Sequence, residues 1–244
     1  MEKRNFIIPE FGPLAGLRVI GAGSLIAMPF AATMMADFGA EVIQIERPKI
    51  GDTYRSFPPL KKTEQGTAGS SWMQDARNRL SMTLELDLND PDVKEIFFRL
   101  IERSDIFIEN MVWLDKLGIH DSELLKINPR LVIVHVSGYG HKEFGGLPEI
   151  CDQASYDMTS QAYSGYALFN GYPDRDPLIV KPSLGDYITA LFALFGMLSA
   201  HISAKNTGRG QVVDVSQFEA QARVMRDAFT MSSLGLAEVQ RCGT

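Results

Sequence analysis

The stretch LVIVHVSG, Leu131–Gly138, carries apolar side chains at almost every position. Successive side chains of a strand point to opposite faces, so such a run must be covered on both sides. A strand of that kind belongs inside a parallel sheet with helices on each face. Further strands are expected at Leu17–Ile20, Glu41–Glu46, Leu80–Leu86, Asp105–Asn110 and Val212–Ser216. Helical patterns fall between and after them. One runs from Pro29 to Phe38 and is closed by Gly39. Another is capped by Asn89, with Pro91 in its first turn, and runs to Arg103. Shorter helices are expected at Ser122–Lys126 and Ser155–Tyr166, and the last at Gln217–Leu234. About six strands alternating with helices predict an α/β fold, a Rossmann-like open and mostly parallel sheet with helices on both faces.

Gly51–Arg77 is a long polar stretch with scattered Gly, Pro and Ser. Segments of that length inside a compact domain usually serve function. Its Tyr54, Phe57 and Trp72 have two readings, contact with a bulky apolar acid or packing within the domain.

Bulk properties exclude several classes. With 244 residues the chain can bury a sizeable core. A net charge of −6 without a Lys/Arg cluster argues against a nucleic-acid partner. Two distant cysteines, Cys151 and Cys242, make neither a disulfide framework nor a zinc site, so a reduced, cytoplasmic setting is expected. The N-terminal MEKRNFIIPEFGPLAG has no apolar core of signal-peptide length. Tyr187–Ala204 lacks acids and bases, at the lower limit of a membrane span. Its Thr, Ser and His favour a buried helix of an α/β core, so no membrane partner is expected.

The segment LRVIGAGSLIAMPFAATMMADFGAEVIQIERP, residues 17–48, nearly spells a dinucleotide fingerprint. Gly21 and Gly23 follow the first strand as required, and Glu46 is placed to hold a ribose. Ile26 occupies the position of the third glycine, where close helix–strand packing is normally needed. The segment therefore allows an NAD site, a plain βαβ turn, or a crevice for another adenine nucleotide.

Other chemistry is sparse. No G-x-S-x-G elbow or Walker-type phosphate loop is present. His120, His135, His141 and His201 show no metal spacing; His135 and His201 read as core histidines, and no metal is expected. Asp186, in PSLGDYITALFALFG, stands between a glycine and an apolar helix. An Asp in that position usually is a helix N-cap, and the position also suits a carboxylate nucleophile whose anion the helix terminus favours.

Four segments, taken together and in this order, resemble the class III CoA-transferases, the family of carnitine, bile-acid and formyl CoA-transferases. They are FGPLAGLRVI…ADFGAEVIQIERPKIGD, DIFIEN, NPRLVIVHVSGYG, and ASYDMTSQAYSGY…LGDYITAL…TGRGQVVDVSQFEA. The likeness spans nearly the whole chain, and LVIVHVSGYG and SYDMTSQAYSGY look closest to the bile-acid and carnitine branch. It implies that Asp186 attacks an acyl-CoA thioester and carries first an aspartyl–acyl anhydride, then an aspartyl-CoA thioester. Coenzyme A would enter as substrate, without metal. A glycine-rich loop that assists at the acyl carbon is expected beyond residue 244.

The resemblance also implies CoA contacts. Arg47 matches a basic residue near the nucleotide; Leu25 and Ile26 line the first crossover; Leu84 ends the third strand; Asn110 belongs to the family's EN motif; Tyr139 follows the fifth strand. Lys116 stands near a family arginine in a loop about two residues shorter, and Ser137 stands where some relatives have Lys. Partners would be an acyl-CoA donor and a carboxylic acid acceptor, with two interlocked chains forming a homodimer at full length. Residues 1–235 are expected to form the CoA-binding domain, and 236–244 the start of a linker to a smaller one. Alternatives are an acyl-CoA racemase, disfavoured because Tyr156 rather than His precedes Asp157, a CoA-binding module without activity, and an NAD-dependent oxidoreductase.

Overall fold

A computed structural model describes residues 5–64, 66–112, 114–238, 240–241 and 243. Met1–Arg4, Cys242 and parts of the 236–244 segment lie outside the described residues.

Strands β1 (Arg18–Ala22), β2 (Glu41–Glu46), β5 (Leu80–Thr83), β6 (Ile106–Glu109), β7 (Val132–Ser137) and β8 (Gln211–Ser216) form one six-stranded sheet. The spatial order is β5-β2-β1-β6-β7-β8, and every neighbouring pair is parallel. In chain order that is third, second, first, fourth, fifth, sixth, the doubly wound arrangement. Its topological switch lies between β1 and β6, where open α/β sheets place ligands. The fold class expected from the apolar strands is the one observed.

Burial on both faces follows from strand alternation. Val132, Val134 and Val136 pack under helices α1 (Ala27–Asp37) and α6 (Leu184–Thr207). Leu131 and Ile133 pack on the opposite face with Phe97 and Ile101 of α3 (Pro91–Glu102) and Leu124 of α4 (Asp121–Ile127).

Several boundaries differ from the sequence expectation. Asp90, not Asn89, caps α3, its carboxylate accepting from the Asp92 and Val93 N–H groups. The helix expected at 155–166 is α5, Asp157–Tyr163. The expected last helix is split into α7 (Gln217–Arg223) and α8 (Ala228–Ser233), with Arg226 between them at φ 55. The 51–77 stretch holds a 3-10 turn at Thr53–Ser56, an antiparallel hairpin of β3 (Leu60–Thr63) and β4 (Gly66–Gly69), and α2 (Ser70–Asp75). Alternation in β3 and β4 is weak because neither strand buries a face, so no apolar pattern marks them.

Helix α6 is long and apolar enough to cross a membrane by length and composition. It is also only half the buried helix expected. Ala190, Ala193, Met197, Ala200 and Ala204 form a small-residue face packed into the core, while Leu191, Phe195 and Ile202 are exposed.

Candidate functional site

The crossover from β7 to β8 brings the first turn of α6 to the carboxyl ends of the strands. There Asp186 is buried, with 8% of its surface exposed. It does not cap the helix; the N-cap position is Ser183. Its Oδ1 accepts a hydrogen bond from the side-chain amide of Gln217, the first residue of α7 and the residue directly after β8. Burial pushes the Asp186 carboxyl up to about 7, the charge of Asp157 adds to the rise, and the Gln217 bond opposes it.

Asp157, first residue of α5, is itself buried and anchors the start of α6. Its Oδ1 accepts from the Gly185 N–H at 2.7 Å, and its Oδ2 from Gln161 Nε2 at 3.0 Å. Gln221 of α7 donates to Ser160 Oγ at 2.5 Å. Position 185 has no room for a side chain: a Cβ there would lie 2.4 Å from Gln221 Nε2. The side-chain oxygens of Gln217 and Gln221 are buried without a protein partner among the described residues. These are acceptors left over beside a buried carboxylate, in a place where a bound group with N–H or O–H donors would satisfy them.

The fingerprint turn is braced from outside. Asn110, just past β6, accepts from the Ser24 N–H at 3.1 Å and donates to the Ser24 carbonyl at 3.0 Å. Gly23 sits at φ +138, and a Cβ there would fall 1.8 Å from Asn110 Oδ1. The side chain assigned to CoA thus serves first to hold the β1–α1 turn. Leu25 takes a left-handed φ of 71, unusual for a branched side chain, and its N–H donates to Asp52 Oδ1 at 3.0 Å. Ile26 is the N-cap residue of α1, without a side-chain cap bond.

Glu46 is not available to hold a ribose. Arg55 donates to both its oxygens at 2.7 Å, Ser81 Oγ to Oε1 at 2.7 Å, and the Asp52 N–H to Oε2 at 2.8 Å. The same Arg55 stacks over Trp72 at 4.2 Å. A cavity of about 210 Å³ opens here, lined by Gln44, Glu46, Arg55, Trp72, Arg79 and Ser81. Arg79 donates to Gln44 Oε1 at 3.0 Å, and burial lowers its pKa to about 10. Sequence reading missed Arg55 and Arg79. Trp72 had been singled out, and its place under Arg55 is a packing role. Tyr54 packs too: it is buried, and its hydroxyl donates to Asp75 Oδ2 at 3.0 Å. Tyr187, beside Asp186, donates to the same oxygen at 2.8 Å and so ties the 51–77 segment to α6.

The other expected contacts scatter along the carboxyl edge. Arg47 is exposed, 3.8 Å from Glu85. Leu84 lies one residue past β5 rather than ending it, and its N–H donates to the Glu46 carbonyl. Lys116 is exposed in a 3-10 turn, its carbonyl accepting from Asn89 Nδ2. Ser137 ends β7 and its Oγ accepts from the Gly140 N–H at 2.8 Å. Tyr139 is buried edge-on against Tyr163, with ring centroids 5.0 Å apart, and Tyr163 in turn packs on Phe218 of α7.

A second polar cluster lies on the other face of the sheet. Glu109, His135 and Asp214 are register partners on adjacent strands β6, β7 and β8. His135 Nδ1 contacts Glu109 Oε1 at 2.6 Å, and its Nε2 contacts Asp121 Oδ2 at 3.0 Å. Burial works against the charge of His135, but the two carboxylates outweigh it and its pKa rises to about 10. His135 is thus buried with a carboxylate partner on each ring nitrogen. The signal for the cluster was one polar residue per strand, each near the end of an apolar run.

The doubly wound sheet is shared with nicotinamide-binding folds, but the carboxylate at the head of α6 and the occupied Glu46 set this crevice apart from a nicotinamide site. Residues 14–243 match CoA-transferase family III. The chain belongs to CoA-transferase family III. It is 43% identical over 219 residues to the bile acid CoA-transferase BaiK of Clostridium scindens, an alignment covering 89% of this chain and 46% of that protein. It is 36% identical over 220 residues to the succinyl-CoA–L-malate CoA-transferase alpha subunit of Chloroflexus aurantiacus, covering 87% of this chain and 48% of that one. The chain thus spans about half the length of the curated relatives it matches. Among solved structures, a CAIB/BAIF family protein from Brucella suis superposes with a TM-score of 0.85 at 29% identity, over 94% of this chain and 60% of the other.

Proposed function

We propose that this chain is the CoA-handling, nucleophile-bearing part of an enzyme that moves CoA from an acyl-CoA donor to a carboxylic acid acceptor. The observation that carries the reading is Asp186: a buried carboxylate held by Gln217 at the carboxyl end of a doubly wound sheet. Its raised pKa makes it a stronger nucleophile than an ordinary aspartate while leaving it largely ionised slightly above neutrality.

The Asp186 carboxylate attacks the donor thioester carbonyl; the C–S bond breaks and CoA leaves as thiolate, giving an aspartyl–acyl anhydride. The thiolate attacks the aspartyl carbonyl, expels the donor carboxylate and leaves an aspartyl-CoA thioester. The acceptor carboxylate then attacks that thioester; its C–S bond breaks, CoA leaves again as thiolate, and the acceptor forms its own anhydride with Asp186. Renewed thiolate attack on the acceptor acyl carbon yields acceptor acyl-CoA and the free aspartate. One thioester is consumed and one is formed over the cycle, so no ATP is consumed. CoA lies along the switch-point crevice past Leu25, Ile26, Arg47, Leu84, Asn110, Lys116, Ser137 and Tyr139, its phosphates drawn by the exposed Arg47 and Lys116. The similarity to bile acid and L-malate CoA-transferases supports a carboxylic acid acceptor. In the intact protein two copies interlock as a homodimer, in the cytoplasm.

The test is an exchange assay with the intact protein, screening acyl-CoA donors against carboxylic acids. Transfer is expected, together with hydroxylamine-sensitive labelling of Asp186 during turnover. Transfer by the Asp186→Ala protein, or saturable NADH binding without competition by CoA, would overturn the reading.

A further inference from the structure

The cluster on the α3/α4 face has the composition of a metal centre, although the histidines show no metal spacing along the chain. Glu109, His135 and His141 each offer one ligand atom, and these atoms all lie within 4.8 Å of one another. Two of the three come from adjacent register-paired strands. The third is carried back by the loop after β7, bringing the rings of His135 and His141 to 4.9 Å between centroids.

What distinguishes the cluster from three polar neighbours is the second ring nitrogen of each histidine. His141 Nδ1 contacts Asp214 Oδ1 at 2.6 Å, and its backbone N–H donates to Asp214 Oδ2 at 3.1 Å. His135 Nε2 contacts Asp121 Oδ2 at 3.0 Å. His135 Nε2 and His141 Nδ1 are therefore each held by a carboxylate outside the trio, while His135 Nδ1 faces Glu109 within it. That is how ligating histidines are oriented around metals. Glu109 is oriented too, its Oε2 accepting from the Met111 N–H at 2.6 Å. The centre is dry on the protein side, with Glu109 and His135 side chains at 1% and 4% exposure, and reachable past His141 at 30%.

We propose that Glu109 Oε1, His135 Nδ1 and His141 Nε2 bind a zinc-class divalent cation, with a fourth position open on the His141 side. Two imidazoles and one carboxylate match the preference of zinc. Tetrahedral bonds of about 2.05 Å put ligand atoms about 3.3 Å apart. The Glu109–His135 contact of 2.6 Å opens to that spacing while the longer separations close. The metal takes the place of the proton between Glu109 Oε1 and His135 Nδ1, which leaves to solvent. It pins the loop of Tyr139 and His141 to β6 and β8, on the face of the sheet opposite Asp186. The inference stands independently of the proposed reaction.

Chelator-stripped protein is titrated with Zn2+ by calorimetry and with Co2+ by visible absorption. One equivalent is expected, with the d–d bands of a four- or five-coordinate cobalt site. His141→Gln lowers affinity at least tenfold, and Asp214→Asn by roughly 10- to 100-fold. The exposed His120→Gln, whose ring pairs with Asp115 outside the cluster, leaves affinity unchanged. X-ray absorption on the zinc-loaded wild type needs no variant and is expected to show two imidazoles. No stoichiometric uptake, uptake equal in His141→Gln, or an all-oxygen shell overturns the proposal and leaves a hydrogen-bonded histidine–carboxylate network.

Discussion

The side-chain amide of Gln217 donates to Oδ1 of Asp186, joining the residue after the last strand to the first turn of the long helix. The contact bridges two elements that meet only because β8 returns beside β7. It is the one side-chain hydrogen bond to Asp186 among the described residues, and it favours the charged form against burial and the Asp157 charge. The kcat/KM of CoA transfer should therefore rise with pH through an inflection near 7, where Asp186 ionises. Gln217→Leu removes the one lowering influence, so the inflection should move upward and activity at pH 7 should fall. A pH profile of both proteins checks this; an unmoved inflection would separate Gln217 from the nucleophile.

Asp186 should also cost stability. Its pKa is raised in the folded state, so the native protein holds a proton that the unfolded chain releases above about pH 4. Stability from this group is fully present below pH 4 and is lost as pH rises to about 7. Asp186→Asn should be close to neutral near pH 4 and stabilising at pH 8, by up to about 4 kcal/mol. The difference in Tm between variant and wild type, measured at both pH values, decides it.

Glu46 is buried with Arg55 on both oxygens. Arg55→Ala leaves that carboxylate with Ser81 and one backbone N–H only. A loss of about 3 kcal/mol is expected from the uncompensated buried charge. Adding Glu46→Gln should recover part of it in urea unfolding. A full loss in the double variant would make Arg55 important through its stacking on Trp72 instead.

Gly23 and Asn110 form a matched pair at the switch point. Asn110→Ala unpairs the Ser24 N–H and carbonyl and should cost about 1–3 kcal/mol. Gly23→Ala meets both the clash with Asn110 Oδ1 and the positive φ. The double variant should be less destabilised than the sum of the two, since one clash is removed. CoA affinity, read by calorimetry, should fall in both single variants because the turn facing the crevice is displaced.

How much of this was legible follows from which constraints are local. LVIVHVSG and DIFIEN announced interior parallel strands because alternation demands cover on both faces, whatever the partners. Asp186 was legible as a candidate from the glycine before it and the apolar helix after it, and the family likeness gave it a role. Its alternative as an N-cap failed because Ser183 takes that position. Asn110 was named as a ligand contact, and its bracing of Ser24 carried no local signal. Glu46 matched its motif and was nevertheless consumed by Arg55, nine residues on in a segment that carried no periodicity. The break in the helix expected over 217–234 was hidden because helical composition continues through Arg226, whose positive φ no local signal marks.

The sequence by itself determined the layering: where the strands of the main sheet lie, that they are parallel and buried, and that a carboxylate heads an apolar helix. Those properties depend on side chains within a few residues of one another. Tertiary structure alone decided the company each polar group keeps. Gln217 reaches Asp186 across 31 residues, and His141 reaches Asp214 across 73. Such pairs are set by strand order and register, and register is fixed by the whole buried sheet. Whether Glu46 was spent, whether Asp186 was buried, and whether Glu109, His135 and His141 met at one point were all decided at that level.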